Sequence, residues 1–316
     1  MKIGRKQKLG HWSKNDTALT IMALPTTVWY ILFAYLPMFG VIIAFKNFRI
    51  QPGRGFFSNL LTSEWAGFKN FEFIIRSNSL GIILRNTILY NVVFIILGAV
   101  ITVGLAILIS HMRNKKGSKI YQTMMCFPHF MSWVVVSYFL MAFLNQDNGL
   151  FNTMLRQSGR EPIAWYLTAS VWPMILVIMN IWKGTGYGMI IYLSSIAGID
   201  GTMYEAAMID GATKLQQVRY ITLPSLKPVI VMMFILSIGR IFYTDFGLFY
   251  QLSGGASGSI FNTTATLDTF VFNSLRAGSP LGMTAAVTVA QSIACMLTIL
   301  GANQIVKWVD RDSAII

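Results

Sequence analysis

Two stretches of this 316-residue chain hold residues whose types and spacing suit them to chemistry. The first reads Tyr204-Glu205-Ala206-Ala207-Met208-Ile209-Asp210-Gly211-Ala212, and nine residues after Gly211 it closes on Ile221-x-Leu223-Pro224. Asp200 and Thr202 are cap-type residues and Glu205 stands three positions after Thr202, so a short helix is expected to begin near Gly201-Thr202. Gly211 is its natural stop. Leu215, Val218 and Ile221 then predict a second amphipathic turn that Pro224 ends. Small residues let another surface approach closely, and one glutamate near a helix start can accept hydrogen bonds or pair with a base, so the chemistry on offer is docking. A plain connecting loop is the competing reading of composition alone.

The second stretch carries Arg240 and Asp245 in an otherwise apolar run, with Tyr243, Phe246 and Tyr250 beside them. Read as one helix, five residues place the two charges about 140° apart, out of reach of an i,i+4 pair. Each then needs a partner on another helix or water in a cavity. An interhelical lock and a place on a translocation path both satisfy that requirement. Aromatic faces stack on sugar rings while carboxylates and guanidinium groups bind hydroxyls, which makes this stretch, with Asn180, the candidate substrate surface. No catalytic residue is expected. The histidines His11, His111 and His129 form no HExxH motif, Cys126 and Cys295 form no CxxC or metal spacing, and no Gly-x-Ser-x-Gly elbow occurs. His129, beside Pro128, reads as a packing or kink residue.

The elements that must position these residues are membrane spans. Only 12% of the chain is charged, against roughly 25% in soluble proteins, and 54% falls in the apolar set with a mean hydropathy of +0.58. Asp, Glu, Lys and Arg are absent from 17–45, 86–112, 120–146, 162–182 and 277–306, each long enough to cross about 30 Å of hydrocarbon. With the interrupted stretch after Pro228, six spans are expected: about 17–45, 86–110, 120–145, 163–183, 228–252 and 282–306, following a basic segment over 1–16. Gly184 and Gly186 are placed to break the fourth span, leaving 184–199 either as its extension or at the interface. Trp172 and Trp182 read as boundary anchors. Ser253–Ser259, rich in glycine, reads as a flexible outer loop.

Lys2, Arg5, Lys6, Lys8 and Lys14 precede the first span, and Arg113, Lys115, Lys116 and Lys119 crowd one short connection, whereas 147–161 and 252–276 hold two basic residues and one. Basic short loops stay inside, so both termini and residues 200–224 are expected on the cytoplasmic face. The 46–85 loop dissents with six basic residues. The +13 balance is a topology and lipid-surface signal, with no nucleic acid implied.

The spacing Glu-Ala-Ala, three residues, Gly, nine residues, Ile-x-Leu-Pro resembles the signature of permease subunits of bacterial ATP-binding-cassette importers. The likeness extends to LPTTVWYILFAYLPMFGVIIAFKNF, GFKNF at 67–71, RNT at 85–87, Trp182-Lys183-Gly184-Thr185-Gly186 and Phe246–Gly255, similar to the carbohydrate branch that moves oligo- and polysaccharides. The resemblance implies an all-α, six-span type I importer permease fold with a cytoplasmic coupling helix formed by Tyr204, Glu205, Ala206, Ala207, Asp210, Gly211, Ala212, Ile221, Leu223 and Pro224. It implies as partners two ATPase subunits, a second and different permease, an extracytoplasmic solute-binding protein and a sugar, in a bacterial cytoplasmic membrane. No lysine here is followed by Ser or Thr, so a nucleotide-binding loop is absent. ATP and Mg²⁺ are therefore expected on the partner ATPase, with no cofactor in this chain. The alternative is a secondary transporter driven by an ion gradient, which needs intramembrane carboxylates at repeat-related positions. Only Asp245 qualifies.

Overall fold

A computed structural model describes residues 14–309. The basic residues Lys2, Arg5, Lys6 and Lys8 lie outside them. The described residues contain helices, turns and one isolated antiparallel bridge, Lys46 with Trp65. The fold divides into two compact units, one comprising the chain up to Glu72 with Pro280–Ala286, the other Phe73–Ser279 with the chain from Val287 onward.

In the first unit, α1 (Lys14–Tyr30) runs through a π turn at Ile31–Tyr35 and a 3-10 segment at Leu36–Phe45 to complete a 31-residue apolar span, Asn15–Phe45. Beyond it, α2 (Phe56–Thr62) and α3, which starts at Lys69 and runs to Arg76, are short. The Lys46 ammonium donates to the Leu60 carbonyl at 2.6 Å, and the Asn70 amide donates to the carbonyls of Ala44 and Lys46. One of the six basic residues that set the 46–85 loop apart is thus a structural clamp.

The second unit is built on two long helices. α4 (Leu80–Ser110) has 31 residues, about 46 Å at 1.5 Å each, and starts six residues before the apolar gap because Arg85 and Asn86 are used internally. Asn86 donates to the carbonyls of Asn262 and Ala265, and Arg85 to that of Asn262. α8 (Trp172–Ala197) packs along α4. Val103, Ala106 and Ile109 of α4 bury against Met189 and Tyr192 of α8 and Leu226. α8 corrects two expectations. It runs unbroken through Gly184, Gly186 and Gly188, so the fourth span is Ala169–Ala197 and the stretch 184–199 is its extension as far as Ala197. Trp172 is wholly buried, donating its indole N–H to the Trp165 carbonyl, and is a core residue instead of a boundary marker.

Gly186 of α8 serves close packing. A Cβ at Gly186 would lie 1.8 Å from the Met125 carbonyl oxygen, and the Cys126 thiol donates to the Gly186 carbonyl at 3.2 Å. Small residues at such crossings are the usual means by which membrane helices approach. Met125 and Cys126 belong to α5 (Lys115–Phe130), which is followed after a bend of 97° by α6 (Trp133–Leu144). The expected continuous third span is thus a bent pair. Met131 is extended, and the Ser132 hydroxyl caps the restart by accepting from the Val135 N–H. Among the described residues five helices are long and apolar enough to cross a membrane, or six if the bent pair is one span.

After α7 (Leu150–Gln157) and α8 come α9 (Gly201–Ile209) and α10 (Lys214–Gln217). The chain continues from α10 through a π turn at Val218–Thr222 into α11 (Leu223–Ile238) as one helical run, Lys214–Ile238. Pro224 therefore lies inside this run, one residue into α11, and does not end the preceding turn. α11 stops at Gly239, where a Cβ would meet Ile299 at 2.7 Å. Residues 239–245 are irregular, so the helical-wheel angle between Arg240 and Asp245 does not apply. Helix α12 (Phe261–Thr264), α13 (Leu267–Arg276) and the 29-residue α14 (Leu281–Val309) complete the chain. The Ser253–Ser259 tract is an ordered turn. Ser253 and Ala256 are buried and bonded to each other, and Asn273 holds the Gly255 carbonyl.

Candidate functional site

The Glu-Ala-Ala stretch folds as α9, and its N-cap is Asp200, whose carboxylate accepts from the Thr202 N–H at 3.0 Å. Hydrogen bonds from Thr202 hold the Asp200 carboxyl below the ordinary carboxylate range. A depressed value means that the cap's stabilisation is complete at neutral pH and is lost as pH falls through that lowered value. Asp200→Ala is expected to lower the amide protection factors at Thr202–Glu205 at pH 7, and acidification through the lowered value to lower them in the unaltered chain. Gly211 adopts φ +76° and Ala212 N–H closes on the Ala207 carbonyl at 2.8 Å, so the helix ends where a glycine supplies the left-handed turn. Thr213 and Gln216 then form a reciprocal capping box for α10.

This segment leaves a projecting apolar surface. Ile209 is 87% exposed and Leu215 77%, with Met203, Met208 and Tyr220 also outward and Glu205, Ala206, Asp210 and Gly211 open beside them. Ala207 and Ala212 are half-buried, Leu223 and Pro224 exposed, and Ile221 buried. The inner side is tied down. Tyr204 and Thr222 hydroxyls share a hydrogen bond at 2.9 Å, and Gln217 is buried with its amide donating to the Ala212 carbonyl. α9 is thereby fastened to the helical run that becomes α11.

That run leads to a cavity of about 570 Å³ inside the second unit, within the range of small-ligand sites, roughly 300–1,000 Å³. Ile230, Met233, Phe234 and Ser237 of α11 line one wall. Asn180, Arg240, Tyr243 and Asp245 all contribute to it. Phe246 and Tyr250 stand elsewhere. Their rings stack on each other at 4.8 Å and meet Phe272 edge-on, and the Tyr250 hydroxyl accepts from Arg276 at 2.6 Å.

The irregular 239–245 stretch can exist at membrane depth only because other side chains satisfy its backbone. Asn91 donates to the carbonyls of Ile241 and Tyr243, and Gln291 to that of Phe242 at 2.6 Å. The Asp268 carboxylate accepts from the Thr244 N–H and hydroxyl at 2.6 and 2.7 Å. Asp245 accepts from the Trp133 indole N–H at 2.7 Å and from the Leu248 N–H. Lys183 donates to the His129 carbonyl at the end of α5 and lies 5.0 Å over the Trp133 ring, while His129 stacks on Tyr187. Lys183, Asn91, Asp268 and Gln291 escape a reading that looks for charges within spans alone. Their signal is polar side chains placed where only a neighbouring broken helix needs them.

A polytopic helical protein with a cavity between its helices has the build of a membrane translocator. Its family follows from comparison: a model described as binding-protein-dependent transport system inner membrane component matches residues 102–313, and the chain belongs to that family. It is a permease subunit of an ATP-binding-cassette importer and carries no ATPase of its own. The chain is 32% identical to the polygalacturonan/rhamnogalacturonan transport system permease protein YteP of Bacillus subtilis, over 92% of this chain and 87% of that one. Among solved structures, a bacterial ABC transporter involved in import of the acidic polysaccharide alginate matches with a TM-score of 0.82 at 28% identity, covering 94% of this chain and 97% of that chain. A second, the alginate transporter in complex with an alginate pentasaccharide-bound periplasmic protein, matches at 0.81 and 27%, covering 94% and 96%. These relatives lend no support to an ion-gradient mechanism.

Proposed function

We propose that this subunit forms half of the passage for an oligo- or polysaccharide and receives its drive through residues 200–224. The observation that carries the reading is a continuity of backbone: Lys214–Ile238 is one helical run whose start holds α9 through Tyr204 and Thr222 and whose far end lines the cavity. A pair of ATPase subunits seated on α9 and closing around ATP and Mg²⁺ moves α9 and α11 together, and the cavity wall turns with them. Nucleotide chemistry and the passage are thus on different chains, and this chain holds no cofactor. A second, different permease supplies the opposite wall, and an extracytoplasmic solute-binding protein delivers the sugar. Both termini and α9 face the cytoplasm. The substrates printed in the names of YteP and of the alginate importer support the saccharide assignment.

Glu205→Ala tests the docking role. ATP-dependent uptake and co-purification of the ATPase are expected to fall about tenfold, equivalent to one charge-assisted hydrogen bond of about 1.4 kcal/mol, while membrane insertion persists. Ile209→Asp, which puts a charge on the most exposed apolar residue of the segment, is expected to give the same result. Unchanged uptake in both variants, or labelling of residues 200–224 from the outer side, removes the docking role.

A further inference from the structure

The cavity carries two charged side chains, and the structure uses them differently. Asp245 is held in place, its carboxylate taking one hydrogen bond from Trp133 and one from Leu248, while it stays exposed on the cavity wall. Arg240 is exposed in the cavity and meets no carboxylate, carbonyl or aromatic face among the described residues. The other polar groups of the lining divide the same way. Asn91 and Thr244 are consumed by the broken backbone, and Tyr243 shares its hydroxyl with Ser292 at 2.8 Å. Asn180, half-buried on α8, holds no partner among the described residues. Among the groups this wall offers a passing solute are therefore a guanidinium and an amide, beside the exposed Asp245 carboxylate.

A guanidinium is the side chain suited to planar, bidentate recognition of a carboxylate, and in a cavity walled by apolar helices its charge is weakly screened. We infer that the cavity is selective for an acidic saccharide, with Arg240 gripping a uronate carboxylate and Asn180 a neighbouring ring hydroxyl. The inference rests on the saccharide reading given above and narrows it to uronic acid oligomers. A neutral sugar offers the guanidinium hydroxyl oxygens alone, whose bonds are weaker than the charge-assisted bidentate pair with a carboxylate.

The test is initial uptake by cells carrying the complete importer, with wild-type, Arg240→Gln or Arg240→Lys permease present at equal membrane levels. The probes are labelled trigalacturonate, trimannuronate, their carboxyl-reduced neutral counterparts and glycerol phosphate. A uronate trisaccharide is expected to enter in the wild type, to lose at least tenfold in rate with Arg240→Gln and a smaller but measurable amount with Arg240→Lys, which keeps the charge and gives up the planar fork. Wild-type rates with Arg240→Gln, equal losses with Gln and Lys, or equal losses for neutral and acidic trisaccharides would overturn the selectivity and leave the saccharide reading intact. Arg240-dependent entry of glycerol phosphate in place of a uronate would assign the cation to a phosphate and overturn it as well. Failure of the wild type to import any trisaccharide, acidic or neutral, would count against the saccharide reading itself and would take the inference with it.

Discussion

Gly186→Leu is expected to prevent the permease from accumulating in the membrane, and Gly186→Ala to lower its level severely. The ideal Cβ position lies 1.8 Å from the Met125 carbonyl oxygen, 2.3 Å from its carbonyl carbon and 2.9 Å from the Cys126 nitrogen. All three are backbone atoms, so no side chain can rotate away and α5 and α8 must separate. Overpacking commonly costs about 1–3 kcal/mol, and a forced shift of a whole helix belongs at or above the upper end. Separation also opens the bond from Cys126 to the Gly186 carbonyl. Gly184→Ala is the internal control. Its added Cβ meets nothing within 4 Å, and replacing a helical glycine by alanine is neutral or stabilising by up to about 1 kcal/mol. Membrane level and the thermal midpoint of the solubilised chain distinguish the two. Equal behaviour of Gly184→Ala and Gly186→Ala would show that α8 does not need its glycine at the crossing.

Asp268→Ala is expected to be the most damaging change in the polar framework. It removes the acceptor for the Thr244 N–H and hydroxyl, and a weaker one at 3.3 Å for the Gln291 amide. An unsatisfied buried donor costs about 1–3 kcal/mol, and for these part-buried groups the loss is expected within that range. Asp268→Asn keeps one carbonyl oxygen for Thr244 and is expected to recover most of that loss. Limited proteolysis within 239–246 reports the effect: fast cleavage in Asp268→Ala, slow cleavage in Asp268→Asn. Equal protection in both variants would mean that the carboxylate does not hold the break.

These two sites also mark where the sequence is legible and where it stops. Four of the five gaps between charged residues fall on single helices long enough to cross a membrane, because hydrocarbon thickness imposes a length that no neighbour can alter, and the fifth holds the bent pair. The short helix after Asp200 can likewise be read, since a cap and a glycine stop act within one turn. The bend after Phe130 left local signals in Pro128 and Ser132, an imino acid followed by a cap-type residue, which are outweighed when hydropathy alone is followed. Gly186 is different. A glycine in an apolar run reads equally as a breaker or as a contact surface, and only the position of the Met125 carbonyl decides between them. Trp172 misleads for the same reason, because an indole near a span's end fits an interface until the Trp165 carbonyl is found beside it.

The stretch around Arg240 and Asp245 lies beyond local reading altogether. Treated as a helix it yields an angle, yet the backbone there is irregular and is held open by Asn91, Asp268 and Gln291 from three other helices. By itself the sequence determined that this chain carries helices for a bilayer and where the short helix after Asp200 starts and stops, since each follows from interactions within a turn or from the solvent. Tertiary structure alone decided which charge is free and which is bound. The partners that settle it are dozens to more than a hundred residues away along the chain, and no periodicity records them.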